Sequence, residues 1–360
     1  MIDFSFLFTT NKNNNFLKRS IDFFNTLYPV DQIETLQVDD YYITLVKDGV
    51  SSGNENVFRY EKDDSLLLLM GNLKINDSNT WVNTKEQLHN NLLSILEAEE
   101  FKKLDGNFII LYLDHFNSDV KLINSKLGLI PCYYYARENQ YIVSTRMGLF
   151  NSVVSGLEIN WGAVAQYTLY NYIASDCTFF KDVYSLPPAT IMKFKNNKFS
   201  FSVYWNIEDE MVDKPLNFSE SANLIDDAFN EIFRDIIARN DQISISLTGG
   251  WDGRILLAYA SRYVEKSQIL LYSFGSKDSP DVFIPEENAE RLNYEYLPID
   301  LGESGYTERI SHWAKETIDR SDGLRSPMRS HYLYAMNLLN DKADFIISGD
   351  VLDQKSSDQL

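Results

Sequence analysis

Short runs rich in apolar and aromatic residues, separated by polar turns, occupy most of the first 155 residues of the chain. Runs of this kind predict β-strands. We place strands at Tyr41–Val46, 66–70, 108–113, 120–123, 132–135 and 141–144. Apolar residues at helical spacing predict one helix over 84–104. Strands in hairpin order with few helices predict stacked antiparallel sheets.

The pattern changes after residue 243, where apolar strands alternate with helical stretches. The spacing predicts strands at 243–247, 270–274, 294–299 and 345–348, and helices at 285–292, 307–319 and 331–339. Alternating strands and helices are typical of a parallel sheet, in which ligands bind at the carboxyl ends of the strands. The predicted fold class is therefore α+β followed by α/β.

A chain of 360 residues is long enough for two domains, since single cores stop growing at roughly 250–300 residues. The polar stretch 208–216 contains a proline and lies where the two patterns meet. We therefore predict domains at 1–207 and 216–360, the first ending in a connecting hairpin.

The segment from Ile243 to Tyr259 concentrates the candidate chemistry. A strand, the pair Gly249-Gly250 and a helix start would cluster backbone N–H groups at a positive helix end, which suits phosphate or pyrophosphate. Asp252 would repel phosphate unless a divalent cation such as Mg²⁺ lay between them. The alternative is a tight turn in which Asp252 is only a helix-start acid; local sequence favours neither.

A second loop with glycine and acids follows the last predicted strand, with Ser348, Gly349, Asp350 and Asp353. If both loops end strands of one parallel sheet, they lie at the same edge. Asp252 and Asp353 would then converge on one Mg²⁺–pyrophosphate.

Composition restricts the partners. The net charge of −19 and the pI near 4.6 argue against broad binding to nucleic acid or anionic membranes. No apolar run is long enough to span a bilayer. Cys132 and Cys177 are the only cysteines, which favours a reducing compartment. We expect a soluble, cytoplasmic protein.

Several motifs resemble the asparagine synthetase family. The octapeptide from Leu247 to Arg254 is similar to the family's pyrophosphatase loop, Ser-Gly-Gly-x-Asp-Ser. Further similar segments are Ser279-Pro280-Asp281-Val282, the loop 348–353, Leu186-Pro187-Pro188-Ala189 and Asp105-Gly106-Asn107-Phe108.

This resemblance implies an Ntn amidotransferase-like sandwich (class II glutamine amidotransferase type) followed by a PP-loop domain, which is adenine nucleotide alpha hydrolase-like. The second domain would use ATP and Mg²⁺ to adenylate a carboxylate. Asp252 and Asp353 would be the catalytic, metal-binding acids. The remaining implied residues around pyrophosphate and nucleotide are Leu247, Thr248, Gly249, Gly250, Gly253, Ser276, Ser348 and Gly349.

The chain departs from that family in three places. Ile2 stands where a working glutaminase carries its nucleophilic cysteine. Gly253 replaces the final serine of the loop. The sequence stops at Leu360, before the family's helical segment, which suggests a short form, a truncated chain or a degenerate copy.

Three functions follow from these observations. The first is an ATP-dependent, AMP- and pyrophosphate-forming amide ligase that joins a small-molecule or peptide carboxylate to ammonia or an amine, without hydrolysing glutamine. The second is an ATP-binding pseudoenzyme or partner-binding subunit, as a homodimer or with another chain. The third is a glutamine-dependent asparagine synthase, which Ile2 disfavours.

Overall fold

A computed structural model describes residues 4–8, 14–38, 41–46, 57–62, 65–76, 80–82, 92–114, 119–137, 139–211, 215–237, 241–302 and 305–349. The chain divides into two compact units, Met1–Met211 and Val212–Leu360. The division falls within the polar stretch that follows residue 207. That the two units are independent domains stays a prediction.

The first unit is built on two antiparallel sheets. The strands are β1 Phe4–Phe8, β2 Ile33–Val38, β3 Tyr41–Val46, β4 Val57–Lys62, β5 Ser65–Ile75, β6 Thr80–Trp81, β7 Leu104–Asp114, β8 Asp119–Asn124, β9 Tyr133–Arg137, β10 Gln140–Ser144, β11 Val183–Ser185, β12 Thr190–Lys195 and β13 Lys198–Val203. One sheet has the order β11-β9-β10-β1-β3-β2 and the other β13-β12-β8-β7-β5-β4, with β6 paired to β5.

The two sheets share a core, which confirms the predicted sandwich. Phe6 and Ile43 of the first sheet belong to one buried cluster with Leu68 and Leu111 of the second. Successive residues of a strand face opposite sides, so Leu67 and Leu69 turn to a separate cluster on the outer face of the second sheet. The helices among the described residues of this unit are α1 Asn14–Asn25, α2 Leu93–Ala98, α3 Gly148–Val153 and α4 Trp161–Tyr170.

The predicted helix 84–104 is wrong at its carboxyl end. Helix α2 ends at Ala98, and Glu99 follows in the left-handed conformation, with φ of 55°. Leu104 then begins β7 and pairs with Ile75 of β5. The last predicted helical residue is therefore the first residue of a strand. Residues 83–91 lie outside the described part of the chain.

The second unit alternates helices and strands around a parallel sheet. Its elements are α5 Phe218–Ile237, β14 Ile243–Ser246, α6 Trp251–Ala260, β15 Ile269–Gly275, α7 Pro280–Leu292, β16 Glu295–Asp300, α8 Ile310–Arg320, α9 Ser330–Leu339 and β17 Phe345–Ile347. The strand order is β16-β15-β14-β17, and all pairs are parallel. The predicted α/β class is confirmed.

Both faces of this sheet are buried. Ile243 and Ile245 pack in one cluster with Phe233 of α5 and Leu257 of α6. Leu270 and Tyr272 of β15 face the opposite side, where Ala335 and Leu339 of α9 cover them. The chain leaves β14 towards β15 and returns later to β17 on the other side of β14. The direction of winding therefore reverses between β14 and β17, where open α/β sheets bind their ligands.

Helix α7 starts five residues before the predicted position. The Ser279 hydroxyl accepts the Asp281 N–H at 3.3 Å, and Pro280 occupies the first helical position. Both features favour a helix start. Pro285, which we predicted to begin the helix, lies inside it and is buried.

Among the described residues, no helix is long and apolar enough to cross a membrane.

Candidate functional site

The loop between β14 and α6 places the amino-terminal end of α6, without a side-chain cap, at the carboxyl edge of the sheet. Leu247 is buried, and its N–H donates to the Tyr272 carbonyl at 2.8 Å. The chain then turns through Thr248, Gly249 and Gly250 before α6 begins. Gly250 caps the helix in extended conformation and provides no side-chain cap. The first N–H groups of α6 thus lack the side-chain acceptor that usually satisfies one of them.

Two amides of the loop already bond to side-chain oxygens. The Gly250 N–H donates to Thr248 Oγ1 at 3.2 Å. The Gly249 N–H donates to Asp281 Oδ1 of α7 at 3.3 Å. Phosphate oxygens accept hydrogen bonds from backbone N–H groups as these side-chain oxygens do, so a phosphate is a chemically suitable replacement for either acceptor. Asp281 was not predicted from the sequence to lie at this loop.

Arg254 is a second residue that sequence reasoning missed. Its Nε donates to the Gly250 carbonyl and its Nη2 to the Gly249 carbonyl, both at 2.8 Å. The guanidinium also lies over the Trp251 ring, 4.5 Å from the centroid. Arg254 is the last residue of the glycine-rich octapeptide, but nothing in the sequence indicated which carbonyl groups it would bind.

Gly253 permits the close contact between α6 and the end of β14. A β-carbon at this position would lie 2.5 Å from the Ser246 carbonyl oxygen and 3.1 Å from Leu247 Cα. Both neighbours are backbone atoms of a buried strand end, so they have little freedom to move. The glycine that replaces the family's serine is therefore required by packing in this chain.

The second glycine loop meets the first. Strand β17 pairs with β14, with Ile347 opposite Ile245, so both chains reach the same edge. A β-carbon on Gly349 would lie 2.5 Å from Asp252 Cβ. Ser348 precedes this contact and is exposed. The structure thus brings Gly349 against Asp252. Asp353 lies outside the described residues, and its pairing with Asp252 stays a prediction.

Ser276 follows β15, the other neighbour of β14, and is exposed at the same edge. Its carbonyl accepts the Ser279 N–H at 2.9 Å in the turn that leads into α7. The neighbouring Lys277 Nζ lies 4.0 Å from Asp300 Oδ2 at the end of β16. Ser276 therefore lies at the predicted edge, but none of its contacts assigns it to a nucleotide.

The donors at this edge suit a magnesium–pyrophosphate group. Backbone N–H groups complement phosphate oxygens, and the Asp252 carboxylate is the type of ligand that Mg²⁺ takes together with phosphates. Within the described ranges, no three His, Cys, Asp or Glu side chains are grouped to hold a metal ion on their own. Metal binding by Asp252 and Asp353 stays a prediction.

A cleft of about 720 Å³ opens between α6 and α7. Its lining includes Leu247 and Arg254 near the loop, and Lys266 and Tyr294 towards the far ends of the two helices. Lys266 donates to the Leu292 carbonyl at 2.6 Å. The cleft therefore begins beside the glycine loop and runs along the seam between the helices.

The two cysteines of the first unit differ in burial. Cys132 is buried within the sandwich core, and this burial raises the pKa of its thiol strongly. Cys177 is partly exposed, and its backbone forms an isolated antiparallel β-bridge with Tyr184. Ile2 lies outside the described residues.

The fold and the loops define a class: an antiparallel sandwich followed by a parallel α/β unit with a glycine-rich strand-to-helix turn at its switch point. A family model described as a glutamine amidotransferase domain matches residues 90–205. A putative glutamine-hydrolysing asparagine synthetase of Methanocaldococcus jannaschii is 21% identical over 267 residues, which are 73% of this chain and 46% of the relative. A probable asparagine synthetase of Acanthamoeba polyphaga mimivirus is 25% identical over 208 residues, 55% of this chain and 36% of the relative.

These matches support an asparagine synthetase-like family for the chain, and the resemblance that its motifs indicated is confirmed. The chain spans less than half the length of these curated relatives. Among solved structures, the allosteric regulatory enzyme of purine biosynthesis aligns with a TM-score of 0.37 and 9% identity, over 83% of this chain and 80% of that one.

Proposed function

We propose that the second unit binds the pyrophosphate part of Mg²⁺–ATP at the loop 248–253. The chain would thereby serve an amide ligase that adenylates a carboxylate and releases pyrophosphate. The carboxylate would belong to a small molecule or peptide, and ammonia or an amine would be the nucleophile. The observation that carries this proposal is the contact of Gly349 with Asp252, because it joins two glycine loops at the switch point of the sheet.

The residues have separable roles in this proposal. The amides of Gly249, Gly250 and the first turn of α6 would bind phosphate oxygens, since a helix start favours negative charge. Asp252, with Asp353, would hold Mg²⁺. Bound there, Mg²⁺ would offset the charge that develops on the leaving pyrophosphate. Leu247, Ser276, Ser348 and Gly349 would surround the rest of the nucleotide.

We propose further that the chain does not hydrolyse glutamine. The reaction needs a reactive thiolate. Cys132 and Cys177 are the only cysteines of the chain. The first is buried with a raised pKa. The second is an internal residue, so its own α-amino group is part of a peptide bond and cannot activate the thiol. Ammonia or a substrate amine therefore suits this chain better as the nitrogen source.

Calorimetric titration of the purified chain with Mg²⁺–pyrophosphate and Mg²⁺–ATP tests the binding step. We expect both to bind, and Asp252→Asn to weaken both by ~10-fold or more, because a neutral amide is a poorer Mg²⁺ ligand. Asp344→Asn is the matched control. Asp344 accepts the Asp241 and Gln242 N–H groups ahead of β14, at the opposite edge of the sheet. Equal losses in the two variants would reject the site.

Exchange of labelled pyrophosphate into ATP, with a panel of amino-acid and peptide carboxylates, tests the chemical step. An exchange signal that depends on both the carboxylate and Asp252 would support the ligase. Binding without exchange for any carboxylate in the panel would favour the ATP-binding pseudoenzyme or partner-binding subunit. Ammonia released from glutamine would overturn the second part of the proposal.

A further inference from the structure

We propose that Arg254 is a positioning residue that holds the amides of the glycine loop in the orientation needed for pyrophosphate. This inference rests on the proposed function, and it assigns a task to a residue outside the predicted site. Arg254 lies in the first turn of α6, one residue after Gly253 and two after Asp252.

The two hydrogen bonds of Arg254 fix consecutive peptide groups. Its guanidinium binds the carbonyl oxygens of Gly249 and Gly250, both at 2.8 Å. In a trans peptide the C=O and the following N–H point in opposite directions, and the chain has no cis bond among its described residues. Fixing these carbonyls therefore directs the N–H groups of Gly250 and Trp251 away from the guanidinium.

Glycines make this restraint necessary. Gly249 and Gly250 have no side chains to limit their backbone angles, so the free loop samples many orientations. A cradle of amides binds an anion well only when its N–H groups are oriented in advance. Arg254 supplies that restraint from the rigid helix, because its planar fork can bind two acceptors at once.

The ring of Trp251 holds the guanidinium in place. Arg254 lies 4.5 Å from the ring centroid, within the range of a cation–π contact. Trp251 itself is 73% exposed, so burial in the core does not explain its position. The stack instead joins the first residue of α6 to the side chain that holds the two carbonyls.

The charge of Arg254 also points to an anion. A cation in the first turn of a helix opposes the helix dipole, and Arg254 occupies that turn. A pyrophosphate bound at the same turn would reverse this unfavourable arrangement. The positive charge would also offset part of the repulsion between Asp252 and the phosphates.

Two measurements on the full chain test this inference. The first is the affinity for Mg²⁺–pyrophosphate, by calorimetry, of the unaltered protein, Arg254→Gln and Arg254→Lys. The second is hydrogen–deuterium exchange of the loop amides in the same proteins without ligand. Arg262→Gln is the matched control. Arg262 stacks on Tyr259 at 4.4 Å and binds Asp226 at 3.1 Å, so it resembles Arg254 but lies after the other end of α6.

We expect Arg254→Gln to weaken pyrophosphate binding by ~10-fold, the size of one charge-assisted hydrogen bond. Exchange at the amides of Gly250 and Trp251 should become faster, while the melting temperature stays close to that of the unaltered protein. Arg254→Lys should recover only part of the affinity, because one ammonium cannot reproduce the fork. Arg262→Gln should change neither the affinity nor loop exchange.

Unchanged affinity and unchanged loop exchange in Arg254→Gln, with normal pyrophosphate binding by the unaltered protein, would overturn the inference alone. Full recovery by lysine would also overturn it, because charge rather than geometry would then be sufficient. Failure of the unaltered protein to bind pyrophosphate would overturn the proposed function together with the role of Arg254. Hydrogen–deuterium exchange is measured without ligand, so it shows whether Arg254 orders the loop even if the protein does not bind pyrophosphate.

Discussion

Gly349 packs so closely on Asp252 that a β-carbon at residue 349 would lie 2.5 Å from the β-carbon of Asp252. The two residues are almost a hundred positions apart in the chain, and each follows one of two adjacent parallel strands. Their contact fixes the distance between the two glycine loops. The position of the Asp252 side chain therefore depends on the loop after β14 and on the loop after β17.

This contact predicts the effect of adding one methyl group. Gly349→Ala should displace Asp252 or the second loop and weaken Mg²⁺–pyrophosphate binding by ~10-fold or more, because extra carbon atoms in a tight contact force backbone shifts. Gly302→Ala is a suitable control. That glycine follows β16, and among the described atoms its β-carbon would meet only Asp300 Oδ1, at 3.3 Å. Calorimetry should find the affinity of the control unchanged, and equal affinities in both variants would contradict the prediction.

Gly253→Ala should destabilise the second unit by about 1–3 kcal/mol, as overpacking does. Alanine is favoured over glycine within helices, but the new methyl would lie 2.5 Å from the Ser246 carbonyl oxygen. Guanidinium chloride unfolding, monitored by circular dichroism, gives the change. Gly162→Ala in α4 adds the same methyl at an exposed helix position, where the nearest atom is Asn160 Oδ1 at 3.3 Å. A stability loss in the Gly162 variant as large as in the Gly253 variant would refute the packing explanation.

His331 should make stability depend on pH. Burial lowers its pKa below the usual value, more than its bond to the Met328 carbonyl raises it. Its ring lies 4.8 Å from that of Phe274. As the pH falls below about 6.5, the unfolded chain gains the proton first. Stability that is present above this pH is therefore lost as the pH falls towards the folded pKa.

Melting temperatures at pH 7.5 and pH 5.5 check this expectation. His331→Gln does not titrate, so its decrease between the two pH values should be smaller than that of the unaltered protein. His312→Gln, at an exposed position, controls for the loss of a histidine. The prediction fails if both variants show the same decrease as the unaltered protein.

The two thiols should react at very different rates. Cys132 is buried and its pKa is raised, so little thiolate forms at neutral pH. Cys177 is partly exposed. A disulfide reagent such as Ellman's reagent should label about one thiol in the native protein and both after denaturation. Cys177→Ser should remove the rapid native reaction, and rapid labelling of Cys132 in that variant would contradict the assigned burial.

The sequence pattern predicted an element correctly where the element's own apolar residues are enough to define it. β3 has the predicted bounds, because its apolar residues are typical of a strand within the sandwich. The helix predicted over 84–104 ends early, at Ala98. Its last predicted residue, Leu104, instead pairs with Ile75 of β5, a contact that local spacing does not indicate. The start of α7 was missed because Pro285 was interpreted as a first helical residue, although Ser279 and Pro280 form the actual start.

The sequence by itself determined the chemistry of the loop: two glycines, a carboxylate and a helix start at the end of an apolar strand. It also predicted that a second glycine loop would reach the same edge, because parallel strands share one. Only the tertiary structure decided which groups meet there. Arg254 bonds to Gly249 and Gly250, Asp281 binds the Gly249 amide, and Gly349 packs on Asp252. These contacts depend on side-chain reach and on the spacing of neighbouring strands, which residue order alone does not specify.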